Sequence, residues 1–431
     1  MNMAWVGFAM VLTFMYLIMS QRLSAVVALI LVPVCFAVAC GFGPQTGVMV
    51  LDGVRQLAPT ALMLMFAILF FSIMYDAGLF EPAVRRIVRA VGNDPLRVSV
   101  GTAALSALIS LDGDGSTTVL VVVTSMLPVY RRLGMNPLII ATLVLLTNTS
   151  VNLVPWGGPT ARAASALHVD AMQVFHGLIP TMFAGIAFAF LAAVWFGLKE
   201  RRRLGWTPES GAGNLSEEIL AEVRDTHRPK LFWVNLALTV GLVVSMVLGL
   251  GPLPVLMMVA FALALLINYP SLDQQKARIA AHAENVLNVL ALIFAAGAFT
   301  GILAGTGMVD AMSGKFLAVV PESAGPYLSL ITAFASLPFT FFMSNDAFYF
   351  GILPVLAKSA AQYGIDPILV ARASVLGLPV HALSPLVAAG YLMSGLLKVE
   401  VGALQRFSLK WAICSSFVLI AAALVSGAIF S

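Results

Sequence analysis

Charge is what this sequence has least of. Only 10% of its 431 residues are Asp, Glu, Lys or Arg, against 60% hydrophobic, where soluble domains carry about 25% charged residues. Too few polar side chains remain to cover a water-facing surface. The apolar runs are long, at 3–20, 25–40, 58–78, 183–198, 232–250, 254–267, 286–307 and 411–430. A span takes about 20 apolar residues, so the runs describe a membrane protein with little chain left for a soluble domain.

Cysteine is nearly absent. Cys35, Cys40 and Cys414 all lie in apolar stretches, which excludes a disulfide framework or zinc spacing and predicts buried free thiols. The first residues lack the positive stretch of a cleaved signal peptide, so 3–20 is expected as a retained span. The formal charge of +4 does not point to nucleic acid: no basic face is interleaved with aromatics, and Lys and Arg gather in short loops between apolar runs.

What is present is repetition at an offset of about 230 residues. Ala77-Gly78-Leu79-Phe80 is answered by Thr306-Gly307-Met308-Val309, and Leu127-Pro128-Val129 by Leu353-Pro354-Val355. Asp114 in Leu111-Asp112-Gly113-Asp114 matches Asp346 in Met343-Ser344-Asn345-Asp346. Leu133-Gly134-Met135-Asn136-Pro137 pairs with Tyr363-Gly364-Ile365-Asp366-Pro367, and Asn152-Leu153-Val154-Pro155 with Ala382-Leu383-Ser384-Pro385.

Each copy reads as three spans, a polar-tipped hairpin, an interrupted span and a closing span. Five full crossings per copy turn the second copy upside down, as in many secondary transporters. The predicted fold class is therefore an all-α membrane protein of about ten transmembrane helices plus two re-entrant hairpins. Residues 1–198 form the first inverted repeat, with its hairpin at about 97–131 and its broken span at about 137–168. Residues 199–230 are a hydrophilic linker with a short surface helix expected at 216–225. Residues 231–431 form the second repeat, with hairpin and broken span at about 326–358 and 367–397. With both termini outside and the linker cytoplasmic, 19 of the 24 Lys and Arg residues fall inside, in keeping with the positive-inside rule.

The hairpin arms, at about 97–111 and 116–130, extend roughly 22 Å as helix against a hydrocarbon core about 30 Å thick. The tip is therefore expected to stop partway, with two ordinary spans as the alternative. A polar tip at membrane depth must be buried in protein or line a wet cavity. The breaks at 147–160 and 377–385 carry proline and glycine, which favour unwound backbone. Half-helix ends and freed carbonyls at the midplane attract anions and cations, so two tips and two breaks converging make a solute-binding architecture.

Asp112, Asp114 and Asp346 are the carboxylates expected at membrane depth, where they must be protonated, paired or metal-bound. Two of them in Asp-Gly-Asp-Gly-Ser-Thr-Thr suit a hard divalent cation or a proton carrier, with helix capping the competing role for Asp114 and Asp346. The run is not an EF-hand loop, since Thr117 and Val123 stand where that loop needs glycine and glutamate. Gly113, Gly115, Ser116 and Thr117 at one tip and Ser344 and Asn345 at the other join the substrate-binding set. So do Asn148, Thr149, Ser150, Asn152, Gly157 and Ser384 in the breaks, helix packing being the competing role of the polar ones. His381 is expected either to bind ligand and couple protons or to pack helices. Arg162 and Arg372 either neutralise anionic cargo or snorkel from span ends.

The run Leu111-Asp112-Gly113-Asp114-Gly115-Ser116-Thr117-Thr118, followed by Met126-Leu127-Pro128 and Arg132-Leu133-Gly134-Met135, resembles the CitMHS family of citrate–metal–proton symporters. The stretches 148–159, 382–389 and 405–411 strengthen the likeness, which runs nearly the whole chain. The resemblance implies uptake of citrate or a related tricarboxylate complexed with a divalent cation of magnesium or calcium type. It further implies proton coupling, a bacterial inner membrane, no permanently bound cofactor, and a homodimer working as an elevator. Related families hold sodium with Ser-Asn-Thr at the tips. The tips here depart from that, which favours a metal or proton over sodium. A sodium-coupled di- or tricarboxylate carrier or antiporter of the same fold is the alternative. An intramembrane aspartyl protease is excluded, because Leu111 replaces the first glycine of its Gly-x-Gly-Asp motif.

Overall fold

The computed structural model describes residues 2–20, 22–113, 115–207 and 226–430. Asp114 and the surface helix expected at 216–225 lie outside the described residues, among which every regular element is helical. Chains rich in Leu, Ala, Met and Phe on all faces make membrane helices, since only helices satisfy every backbone group within one segment in lipid. Among the described residues six stretches are long and apolar enough to cross a bilayer: Gly43–Asp76, Ala171–Arg203, Pro229–Met246, Leu272–Gly305, Glu322–Phe342 and Val401–Val425. Large apolar side chains such as Leu12, Phe183, Leu191 and Trp233 stand exposed on the periphery. Two of the three free thiols, Cys35 and Cys414, are exposed there too. The expectation of buried thiols is thus corrected, because an apolar run in a membrane protein faces lipid as readily as core.

Before the linker the order is α1 (Met3–Met19), α2 (Ala25–Ala39), α3 (Gly43–Asp76), α4 (Glu81–Val91), α5 (Pro95–Ile109), α6 (Gly115–Leu133), α7 (Leu138–Val151), α8 (Gly158–Leu167) and α9 (Ala171–Arg203). After it come α10 (Phe232–Val247), α11 (Leu253–Asn268), α12 (Leu272–Gly305), α13 (Met308–Leu317) and α14 (Leu328–Phe342). A wide π-type turn (Ala347–Ile352) leads into α15 (Leu353–Ala361), followed by α16 (Pro367–Ser374), α17 (Leu378–His381), α18 (Ala388–Leu397) and α19 (Val401–Val425). The special backbone positions recur in the same places. Left-handed Gly78 and Gly307 follow the two 34-residue helices, and left-handed His168 and Lys398 end α8 and α18.

Helices α3 and α12 run antiparallel in the most extensive helix pairing among the described residues. Gly297, Gly301 and Gly305 recur every fourth residue on α12, the small-residue stripe that lets membrane helices approach closely. A side-chain carbon at Gly53 would lie 2.0 Å from the Gly297 carbonyl oxygen, and one at Gly301 2.2 Å from that of Met49. Where α3 ends, Asp76, only 8% exposed, is bonded by Arg278 Nη1 at 3.2 Å and His282 Nε2 at 2.7 Å.

The α5–α6 hairpin is anchored at its base. Asp94 caps α5 by accepting from the Leu96 amide at 3.0 Å, and Nε of Arg201 on α9 donates to it at 2.7 Å. Burial pushes the Asp94 carboxyl up, but the bonds from Arg201 and Leu96 and the charges of Arg201 and Arg97 outweigh it and hold the group below the ordinary carboxylate range. A depressed pKa gives stability that is present above about pH 4 and lost as pH falls through the folded value. Asp94→Ala is therefore expected to cost about 1–2 kcal/mol at neutral pH. Thermal melts of wild type and variant should converge on acidification; a constant gap would contradict the pairing.

Candidate functional site

Each interrupted segment holds the hairpin of its own half. Helix α7 ends at Val151 with Asn152 as its C-cap, the chain turns through 153–157, and Gly158 starts α8. Trp156 Nε1 donates to the Leu111 carbonyl at the first hairpin tip at 2.9 Å, and its ring stacks on Phe71 of α3. Asn148 Nδ2 donates to Ser110 Oγ at 3.0 Å and Thr118 Oγ1 at 3.3 Å, touching both arms. Asn152 Nδ2 in turn donates to Asn148 Oδ1 at 3.0 Å. In the second half, His381 is bonded through Nδ1 to the Thr340 carbonyl at 2.6 Å. A carbonyl only accepts, so Nδ1 carries the proton. Ser384 Oγ donates to the Phe341 carbonyl at 2.7 Å, and Ser344 Oγ caps the π-type turn through the Ala347 amide at 3.2 Å. Such turns recur at functional sites.

Two cavities open around these junctions. The smaller, of about 310 Å³, is walled by Gly113, Gly115 and Ser116 of the first tip and by Asn148, Thr149 and Asn152 of the first break. Asn345 of the second tip and His381 of the second break complete it. Asn152 Oδ1 and Asn345 Oδ1 are buried and have no hydrogen-bond partner among the described residues, leaving two amide oxygens as acceptors. The larger, of about 550 Å³, shares Gly113, Ser116 and Gly158 with it and adds Asp112, Thr117, Trp156 and Arg162. Its opposite wall is α3 and α12, with Ser72, Asn285 and Asn288. Arg162 Nε donates to Asp346 Oδ1 at 2.9 Å, joining α8 to the second tip; the side chains are 24% and 15% exposed.

The sequence-derived set is thus largely brought together. Asp112, Gly113, Gly115, Ser116, Thr117, Asn148, Thr149, Asn152, Asn345 and His381 line one cavity or both. Ser150, Ser344, Ser384 and Gly157 line neither: Ser150 bonds the Leu146 carbonyl, Ser344 and Ser384 bond backbone, and Gly157 shapes the turn. Asp346 reaches the larger cavity through Arg162. Among the described residues no three His, Cys, Asp or Glu side chains gather as a metal site.

Trp156, Ser72, Asn285 and Asn288 also line the larger cavity and lie outside the sequence-derived set. Asn285 and Asn288 carry a readable signal, two amides one turn apart leading into an apolar run. Arg162 lies within the site rather than snorkelling from a span end, while Arg372 donates to the Gln173, Val174 and Ala428 carbonyls and binds three segments together.

The family profile described as citrate transporter (CitMHS) matches residues 10–377. A Bacillus subtilis (strain 168) protein named Citrate transporter is 51% identical over 99% of this chain and 99% of its own length. Another from that organism, named Mg(2+)/citrate complex secondary transporter, is 46% identical over 99% of each. Among solved structures, Neisseria gonorrhoeae MtrF, of a class of antimetabolite efflux pumps, aligns with a TM-score of 0.59 at 15% identity, over 90% of this chain and 85% of its own. The Alcanivorax borkumensis YdaH transporter aligns with a TM-score of 0.54 at 15% identity, over 89% and 88%. At that identity the two speak to the fold alone.

Proposed function

Because the chain belongs to the CitMHS citrate transporter family, and is a multi-pass secondary transporter and not an enzyme, we propose that it imports citrate complexed with one divalent metal ion in symport with protons. The observation that carries this reading is the poverty of cations around the two cavities. Among their described lining residues Arg162 is the one Lys or Arg, and it is already paired with Asp346. Free trivalent citrate would bring three negative charges to a region with one neutralised cation, and desolvating them is costly. Citrate with one divalent ion is a monoanion, which such a site accommodates. The relative named as a Mg(2+)/citrate complex transporter points the same way and favours a magnesium-type ion.

In this reading Gly113, Gly115, Ser116, Thr117, Asn148, Thr149, Ser150, Asn152, Gly157, Ser344, Asn345, His381 and Ser384 form or shape the substrate site. Asp112 and Asp114 meet the metal, Asp346 takes the coupled proton, and His381 also serves coupling. The unpartnered oxygens of Asn152 and Asn345 supply acceptors for a citrate hydroxyl. The recurring order of α1–α9 in α10–α19 supports two inverted repeats, 1–198 and 231–431, about a cytoplasmic linker. The 15 residues of α5, about 22 Å as helix against a core about 30 Å thick, support a re-entrant first hairpin. Hairpins and broken spans then move as an elevator against a scaffold containing α3 and α12, in a homodimer in the bacterial inner membrane.

Purified protein in liposomes, with no sodium present, is expected to take up labelled citrate only when an inward proton gradient and magnesium or calcium are both supplied. Excess EDTA should return uptake to background. Uptake that survives EDTA but requires sodium would replace this cargo and coupling with the sodium-coupled alternative.

A further inference from the structure

We infer that Arg162 is the exchange point between substrate and proton. A citrate carboxylate takes the guanidinium from Asp346, and the released Asp346 carboxylate takes up the co-transported proton. This rests on the symport reading above.

The pair is placed for the exchange. Arg162 belongs to α8 and Asp346 to the second hairpin tip, 184 residues further on. Arg162 also lines the larger cavity, so an anion entering there meets the guanidinium at the site of an existing ion pair. Separating a half-buried ion pair leaves two uncompensated charges and is strongly unfavourable. It becomes tolerable only if Arg162 receives another anion and Asp346 is neutralised. The charges then balance: Arg⁺ with Asp⁻ in the empty protein, Arg⁺ with the citrate–metal monoanion and a protonated Asp346 in the loaded one. Loading without the proton leaves one negative charge in excess.

Among the described residues, the other titratable or charged groups near the pair are Asp112, which lines the same cavity, His381, and Tyr349 of the π-type turn. His381 is close enough to feel both charges of the pair. Tyr349 is fully buried, with a hydroxyl that has no partner among the described residues. Gly158, one turn before Arg162 on α8, makes room for the guanidinium: a side-chain carbon there would stand 2.8 Å from Arg162 Nη1.

The test is citrate–magnesium binding to the purified full-length protein by calorimetry between pH 6 and 8, comparing wild type with Asp346→Asn at each pH so that citrate speciation cancels. One proton taken up per substrate bound makes wild-type affinity about tenfold tighter for each unit of falling pH, and that slope is expected to vanish in Asp346→Asn. Arg162→Gln is expected to weaken binding by about ten- to hundredfold. Should that variant fail to fold, Gly158→Ala displaces the guanidinium while keeping its charge, and about a tenfold loss is expected. A wild-type slope retained in Asp346→Asn, or wild-type affinity in Arg162→Gln or Gly158→Ala, overturns the exchange. Proton-free binding by the wild type removes the symport reading itself, whereas proton uptake kept by Asp346→Asn removes the exchange alone.

Discussion

A leucine at Gly53 is expected to leave no folded protein to purify, while Gly47→Leu on the same helix should behave as the wild type. The contrast follows from what each position meets. Beyond Gly47 nothing lies within 4 Å, whereas a side-chain carbon at Gly53 would fall 2.0 Å from the Gly297 carbonyl oxygen and 2.9 Å from the Gly301 Cα. Those obstacles are backbone, so no rotamer change relieves them and α3 must part from α12 along its length. That loses dispersion contacts along two 34-residue helices, the main attraction between helices in lipid. It also pulls Asp76 from Arg278 and His282. The expected cost exceeds about 4 kcal/mol, the range reserved for overpacking and broken buried networks. Fluorescence-detected size exclusion after solubilisation, followed by thermal melts of any monodisperse fraction, measures it. A Gly53→Leu protein that elutes and melts like wild type would mean that the two helices do not cross backbone to backbone.

Much of this architecture was legible in the sequence, and the limits have physical causes. The apolar runs marked the helices because lipid leaves the backbone no other economy. The motifs that match about 230 residues apart include Gly78 and Gly307, each left-handed after a 34-residue helix. The first hairpin was placed at about 97–131, and the helices run Pro95–Ile109 and Gly115–Leu133. The first break is expected to begin at Thr147, yet α7 continues to Val151. Thr147, Thr149 and Ser150 return their hydroxyls to the carbonyls of Leu143, Leu145 and Leu146, the back-bonding that keeps such residues inside a helix. Polarity alone therefore does not unwind a span, and the break waits for Pro155 and Gly157. The second break holds a short helix, Leu378–His381, for which periodicity gives no sign. Arg162 was ambiguous because sequence position says nothing about direction, and its partner Asp346 lies on a hairpin in the other half of the chain.

Gly157→Ala is expected to reduce citrate–magnesium uptake by about a hundredfold while the protein still assembles. Backbone conformation is not the obstacle, since φ of −64° and ψ of 135° suit any residue. Space is. The added methyl would lie 2.0 Å from the Asn152 carbonyl oxygen and 3.0 Å from that of Val154, so the turn must open. Its neighbours are then displaced together: Asn152, which lines the smaller cavity, and Trp156, which holds the hairpin tip through Leu111. Forcing a methyl into a packed turn costs about 1–3 kcal/mol. Here that energy falls on the conformation competent to bind, and apparent affinity drops in proportion to its population. At about 2.7 kcal/mol the loss is a hundredfold. Gly402→Ala, with nothing within 4 Å, is the matched control and should transport normally. Uptake rates in liposomes, normalised to protein that remains monodisperse, separate lost binding from lost folding. Uptake by Gly157→Ala within about twofold of wild type would show that the turn between α7 and α8 does not shape the site.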